Sequence, residues 1–557
     1  MARFIMFATL LGLPSLVAGQ VFDEQFELWP SDLRIRGRIV VAGHLASPVV
    51  LQGVLRDASQ DRVTFLFDEA TPESVICDYR ETLVAELQSV NQKQVRVSLR
   101  TTEMTRQIGD ALQDCDVLVW HATDISPLDL RTLLAQRQAF VDHLDRQGTL
   151  IAVGQAAELC GRYFYTEATA NPTELEGLNL LADCVLETGY KARADDRLRL
   201  LSILAAYPRA VGIGLEDNTL LSLTGRRFSV LGEGHATFLL MANEREPVRS
   251  QTIAARRSNR QYESDYLVDL TQWRREAIDR TLPPFPPAEP EVPNVENGTL
   301  VIVGGGGTPE GLMTRFVELA GGVEVARMVY VPCSEDDEVS ERQSTVEAWK
   351  RMGVNHATFV HTKDRHRANN DEAFLAPLRD ATGLWFGGGR QWNFSDSYYG
   401  TKAHALMKAV LRRGGVVGGS SAGASIQARY LARATPIENF DIMAPGYERG
   451  GLGFIRGVAI DQHFSERKRQ KDMTQLVNRY PQLLGIGIDE RTAIIVHDSV
   501  AEVIGRGRVY FYDRQRPVYP DRPDYIALPD GSKFDLALRQ VLVDTSTESE
   551  PATTTNR

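Results

Sequence analysis

The sequence predicts an α/β fold built twice in tandem, each copy a parallel sheet flanked by helices. Three observations carry this. Short apolar runs alternate with helical patterns through the second half, and the first half repeats the same landmarks in the same order. Between the halves, TLPPFPPAEPEVPNVENG (Thr281 to Gly298) places six prolines in eighteen residues. Such a stretch cannot sustain a helix or an interior strand and reads as an extended linker.

In the second half, TLVIVGGGG reads as a strand breaking into a glycine turn, and PEGLMTRFVELAGG as a helix with a glycine stop. ARMVYVPCS, TVEAWKRMG, HATFVHT, EAFLAPLRDA, GLWFGGG, KAHALMKAVLRRGG and VVGGSSAG continue the alternation. Alternation of this kind implies right-handed βαβ units and a parallel sheet. Chemistry in such sheets collects beyond the carboxyl ends of the strands, where the glycine clusters fall. In the first half, RGRIVVAGH parallels GTLVIVGGG, and DCDVLVWHATD parallels DATGLWFGGGR. Tyr207-Pro208 and Gly212-Ile213-Gly214 match Tyr480-Pro481 and Gly485-Ile486-Gly487. A tandem duplication of one domain is therefore expected.

The expected boundaries are a signal peptide over 1–19, a first copy over 20–280, a linker over 281–297, a second copy over 298–543 and a disordered tail over 544–557. One positive charge at Arg3 precedes the apolar stretch FIMFATLLGLPSLVA, and Val17-Ala18-Gly19 offers a small-residue cleavage site. This predicts a secreted or periplasmic protein. No later run reaches the 18 uninterrupted apolar residues of a membrane span. The net charge of −11 argues against a general nucleic-acid binder, which needs clustered cations. Cys77, Cys115, Cys160, Cys184 and Cys333 form no C-x-x-C pair, so no metal site is expected. No cofactor is expected either.

Gly304 to Gly307 follow a strand, yet they satisfy neither G-x-G-x-x-G nor the phosphate-loop pattern. Gly419-Ser420-Ser421-Ala422-Gly423 does satisfy G-x-S-x-G. A serine at a sharp strand-to-helix turn needs small neighbours, and the helix start aims free N–H groups at a developing oxyanion. A plain turn remains the alternative on this motif alone. Among the histidines of the second half, His361 and His366 lie in a polar loop expected to be solvated. His404 sits on a helix expected to be exposed, and His497 follows an apolar run. His463 ends a strand-like run in Asp-Gln-His, beside groups that could orient an imidazole.

GGSSAGAS, FGGGRQ, DQHFSERKR and GIGIDERTA occur in this chain between about Gly298 and Asp513. Together they resemble the serine peptidases of the cyanophycinase and dipeptidase E group, peptidase family S51, with the cyanophycinase branch the nearer. The resemblance implies two tandem flavodoxin-like, class I glutamine-amidotransferase-like α/β/α sandwiches with a nucleophile elbow. It implies Ser421 as nucleophile, His463 as general base, and an acid between them in the chain, assigned to Glu438 with Asp441 as the second choice. Gly388 and Ala422 would supply the oxyanion hole. Gln391, Asp461, Gln462, Arg467 and Arg469 match positions that contact substrate. One position departs: Asp472 stands where cyanophycinases carry a further arginine, with Lys471 beside it. That leaves specificity for a β-aspartyl-arginine polymer open.

In the first half the serine position falls on Gln155, the histidine position near Glu187-Thr188-Gly189-Tyr190, and the glycine cluster becomes Trp120-His121-Ala122-Thr123. This copy is expected to be inactive. The function expected from the whole chain is an exported serine-type peptidase cleaving isopeptide or β-aspartyl bonds through an acyl-enzyme. A non-catalytic peptide- or polymer-binding protein is the alternative. The expected partner is a peptide or cyanophycin-like polymer, with neither nucleic acid nor membrane, in a homo-oligomer or an intrachain pseudo-dimer.

Overall fold

The structure is a computed structural model of the chain. It describes residues 35–43, 51, 54–55, 62–84, 96–100, 104–163, 176–191, 194–256, 268–437 and 440–542. The expected signal peptide and tail fall outside these residues, as does Glu438.

The first half contributes β1 (Ile35–Ala42), β2 (Arg62–Phe67), β3 (Arg96–Arg100), β4 (Val117–Ala122), β5 (Thr149–Gly154) and β6 (Cys184–Thr188). It continues with β7 (Val211–Leu215), β8 (Thr219–Gly225), β9 (Arg227–Gly232), β10 (His235–Leu240), β11 (Arg249–Ala254) and β12 (Val268–Asp269). The second half contributes β13 (Thr299–Val303), β14 (Arg327–Val331), β15 (His356–Phe359), β16 (Gly383–Phe386), β17 (Val416–Ser420), β18 (Ala428–Tyr430) and β19 (Ile455–Gln462). It continues with β20 (Leu484–Ile488), β21 (Thr492–His497), β22 (Val500–Gly505), β23 (Val509–Asp513), β24 (Ile526–Leu528), β25 (Lys533–Asp535) and β26 (Gln540–Leu542).

The large sheet of the second half runs β15-β14-β16-β17-β13-β21-β22-β25-β26. Its counterpart in the first half runs β3-β2-β4-β5-β1-β8-β9-β12. The first seven strands of the two sheets occur in the same relative chain order. The smaller sheets also agree, with β19-β20-β23-β24 in one half and β6-β7-β10-β11 in the other.

The expected parallel sheet is only part of this. Five neighbouring strands, β15 through β13, are parallel. Next to β13, β21 runs antiparallel and pairs with β22 through a two-residue turn, Asp498-Ser499. A connection that short can only join antiparallel strands, whereas parallel neighbours need a crossover. Each half is thus mixed α/β with two sheets. Strands β13 and β17 are almost wholly apolar or glycine and lie in the sheet interior, covered on both faces.

The proline-rich segment carries no helix or strand, yet it does not hang free. Phe285 stacks on Tyr430, with the Arg429 and Arg449 guanidinium groups over its ring. The helix before it, Leu270–Asp279, is buried from Leu270 through Ile278 and is capped by Asp269, which accepts the Gln272 N–H at 2.9 Å. All five cysteines are free.

Candidate active site

Strand β17 delivers the serine. Its interior glycines are required by close neighbours: a Cβ on Gly418 would stand 2.7 Å from the Trp385 ring, and one on Gly419 2.3 Å from the Gly423 carbonyl. The chain therefore doubles back tightly at Ser421, which takes φ 57° and ψ −114°. A non-glycine residue in that region is strained, and such strain persists only where surroundings impose it. The Ser421 N–H donates to the Val303 carbonyl at 3.0 Å, and its own carbonyl receives the Ala424 N–H at 2.9 Å. Ala422 begins the short helix Ala422–Ser425, so its N–H belongs to the unpaired first turn. Gly388 lies alongside: a Cβ there would be 3.6 Å from the Ser421 Cβ.

His463 follows the last residue of β19, also in a left-handed conformation, with φ 49°. Its N–H donates to Gly304 at 2.8 Å. The imidazole Nε2 is 2.8 Å from Ser421 Oγ, and Nδ1 is 2.6 Å from Glu490 Oε1. Glu490 sits in the three-residue crossover that leaves the smaller sheet at β20 and enters the large sheet at β21. That crossover passes beside Gly304 to Gly307. A Cβ on Gly305 would lie 2.3 Å from His463 Cε1, and one on Gly306 2.3 Å from Glu490 Oε2. The glycine turn thus clears space for the imidazole and the carboxylate.

The electrostatics suit a general base. Burial holds the His463 pKa below its ordinary value; the Glu490 hydrogen bond opposes this, and the Arg467 charge adds to the lowering. The ring is neutral near pH 7. With Nδ1–H donating to Glu490, Nε2 is left as an acceptor facing Ser421 Oγ.

The remaining candidates divide. Arg467 is exposed one turn beyond His463, its N–H donating to the His463 carbonyl at 3.1 Å. Asp461 is fully buried and saturated: Arg433 Nη2 and Arg469 Nη1 each reach it at 2.9 Å, and it accepts the Gln462 N–H at 3.0 Å. Arg469 also binds the Gln462 side chain at 3.2 Å, and burial pushes its pKa down to about 10. Gln391 is buried, and its amide donates to the Ala432 and Arg433 carbonyls at 2.8 and 2.7 Å. Gln391, Asp461, Gln462 and Arg469 are thus buried and committed to internal partners instead of forming an open contact surface. Asp472, the departure from the family pattern, binds Arg433 Nη2 at 2.8 Å.

On the acid, the geometry differs from the sequence expectation. Glu490 occupies the Nδ1 side of His463, Glu438 lies outside the described residues, and Asp441 lines a cleft between the two halves. Glu490 follows β20 in the GIGIDERTA motif, a signal visible in the sequence but read there only as a landmark. Arg433 carried no motif at all. Two further expectations are corrected. His361 is buried, its Nε2 2.7 Å from the Asp336 carbonyl. His404 is buried against the Leu452 carbonyl at 2.7 Å, and burial pushes its pKa down to about 3.

The first half repeats this backbone without a serine or a histidine at the matching positions. Register along β5 against β1 matches that of β17 against β13, which puts Gly154, not Gln155, at the Ser421 position. Gly154 has φ 66° and ψ −133°. Glycine needs no Cβ there, so the turn survives without a nucleophile. Register along β6 and β7 likewise puts Gly189, φ 69°, at the His463 position. The loop after β4 is internally bonded as well: Asp68 accepts the Thr123 and Asp124 N–H groups at 2.5 and 2.9 Å, and Gln155 accepts that of Ile125 at 2.7 Å.

Residues 300–504 match the model of Peptidase family S51. A cyanophycinase of Geminocystis herdmanii is 28% identical over 37% of this chain and 76% of its own length. A cyanophycinase of Synechococcus elongatus is 29% identical over 36% of this chain, and the match spans 63% of that protein, under two thirds of it. The crystal structure of a peptidase from an acI-B1 Actinobacterium aligns with 43% of this chain and 97% of its own, at 20% identity and a TM-score of 0.32. Ser421, His463 and Glu490 all lie within the residues that match this family model.

Proposed function

We propose that the second half is a serine peptidase acting through an acyl-enzyme on Ser421, with His463 as base and Glu490 as the group that orients it. The observation that carries this reading is the continuous path from Ser421 Oγ through the imidazole to Glu490, set at a strained elbow. As Oγ bonds to the scissile carbonyl carbon, Nε2 takes the Oγ proton, and the carbonyl oxygen becomes an oxyanion. The Gly388 and Ala422 N–H groups are assigned to hold that charge. Glu490 stabilises the imidazolium, which passes the proton to the leaving nitrogen as the C–N bond breaks. Water then adds to the ester, giving its proton to Nε2, and the ester bond breaks to regenerate Ser421 and the free acid.

For the substrate we propose an isopeptide or β-linked aspartyl bond, supported by the cyanophycinase relatives. Arg467 is the cation assigned to a substrate carboxylate, because it is exposed next to His463 while Arg433 and Arg469 are committed to Asp461. The matching strand orders of the two halves support tandem duplication with loss of activity in the first copy. Export remains part of the proposal, resting on the N-terminal sequence. A fluorophosphonate probe tests the chemistry: labelling of the wild type that disappears in Ser421→Ala supports it, and a folded wild type that never labels rejects it. Incubation with insoluble cyanophycin, followed by mass analysis for β-Asp-Arg, tests the substrate.

A further inference from the structure

We propose that the silent first half acts as a built-in positioning element for the oxyanion loop of the second, gripping Asp396 with Arg226 and Arg275. The proposal rests on the serine peptidase reading above. Asp396 lies on the helix Trp392–Tyr398, which begins immediately after the glycine loop of Gly387 to Gly389 and Gln391. The carboxylate is fully buried, and both arginines that reach it come from the other half. Tyr447 adds a hydroxyl donor at 2.9 Å.

The grip is itself braced. Arg226 binds Asp269 through two nitrogens, at 2.6 and 2.8 Å, and reaches the Tyr447 hydroxyl at 2.5 Å. Asp269 caps the buried helix Leu270–Asp279, which carries Arg275. The Arg226 guanidinium also lies 4.7 Å from the Trp392 ring centre, and that of Arg275 lies 4.7 Å from the Tyr447 ring centre. Trp392 and Asp396 are four residues apart, so they share one helix face. The same helix is held from within its own half, where Lys363 Nζ binds Asn393 at 3.1 Å and Arg365 reaches the Asp396 carbonyl at 3.2 Å. Two arginines meet two aspartates, so the cluster is neutral when whole and leaves a buried charge when one member is removed.

The helix start fixes the glycine loop in turn. The Asn393 N–H donates to the Arg390 carbonyl at 3.0 Å, and Gly388 lies against Ser421. A helix that shifts when Asp396 is released would move the Gly388 N–H away from the developing oxyanion, while Ser421, His463 and Glu490 stay on other elements. Arg226, Arg275 and Asp396 are positioning residues in this scheme.

The test uses the full chain and compares wild type with Asp396→Asn, Arg275→Gln and Arg275→Lys. The readouts are the fluorophosphonate labelling rate, kcat and KM on a peptide or ester substrate, and the melting temperature. Asp396→Asn and Arg275→Gln are expected to label and turn over at least tenfold more slowly at nearly unchanged KM. Arg275→Lys, which keeps the charge, should recover part of the loss. Should Asp396→Asn lose its cooperative melt, Arg275→Gln against Arg275→Lys decides. Folded variants that label at the wild-type rate, with only the melt lowered, overturn the positioning role alone. A wild type that does not label overturns the peptidase reading and the positioning role with it.

Discussion

Gly305 and His463 are fitted to one another: a Cβ on Gly305 would stand 2.3 Å from the imidazole Cε1, and Gly305 itself holds φ 109°. The glycine turn after β13 therefore exists for the imidazole that docks on it. Replacing Gly305 by alanine should impose both backbone strain and a displaced ring. Gly305→Ala is expected to lower kcat about 100-fold, the cost of a misplaced catalytic group, and to cost about 1–3 kcal/mol in a denaturant melt.

Glu490→Gln should reduce kcat by about 10²- to 10⁴-fold, because the amide can no longer stabilise the imidazolium or enforce its tautomer. If Glu490 alone serves His463, Glu438→Gln is expected to stay within about threefold of wild type. Steady-state kinetics of the two variants decide which carboxylate serves His463.

The rate should depend on neutral His463. Burial holds its pKa below the ordinary value of 6.5, so the acid limb of kcat/KM falls below that of a free imidazole, and activity is full at neutral pH. The Glu490 hydrogen bond acts to raise this pKa. The acid limb of Glu490→Gln should therefore lie at still lower pH, which a pH–rate profile measures.

His404 should contribute to acid unfolding. Its folded pKa is pushed to about 3 from the ordinary 6.5. Between those values the unfolded chain binds the extra proton, so stability rises with pH across this window and is lost as pH falls through it. His404→Gln should reduce the stability lost between pH 7 and pH 4 by roughly 2–4 kcal/mol, measured by denaturant melts at both pH values.

Restoring side chains to the first half should not restore chemistry. A Ser421→Ala chain that also carries Gly154→Ser and Gly189→His is expected to remain unlabelled by fluorophosphonate. Asp68 holds the Thr123 and Asp124 N–H groups one and two residues beyond Ala122, the register counterpart of Gly388, and a carboxylate so close repels an oxyanion. Labelling at position 154 would show that this loop tolerates an oxyanion despite Asp68.

Much of the site was legible because its parts are local in sequence. The elbow at Ser421 announces itself through Gly418, Gly419 and Gly423, each forced by a neighbour closer than a side chain allows. His463 was legible as an imidazole at a strand end. Glu490 was not, since its role depends on a crossover between two sheets, and nothing local distinguishes it from Asp489 beside it. Asp489 instead accepts backbone N–H groups from Ser465 and Arg508. Gln155 was misread by one residue for a related reason. Sequence similarity aligned the polar side chain, while the backbone places the positive φ on Gly154.

The sequence by itself determined the α/β alternation, the elbow, the imidazole and the repeated landmarks, because each is written in spacing within a few residues. Only the tertiary structure decided which carboxylate meets His463, that Asp461 and Arg469 are spent on internal ion pairs, and that Asp396 takes its counter-charges from the other half. Those relations join residues between 8 and 170 positions apart. Coulomb and hydrogen-bond energies depend on distance in space, and distance in space is set by how the sheets close on one another.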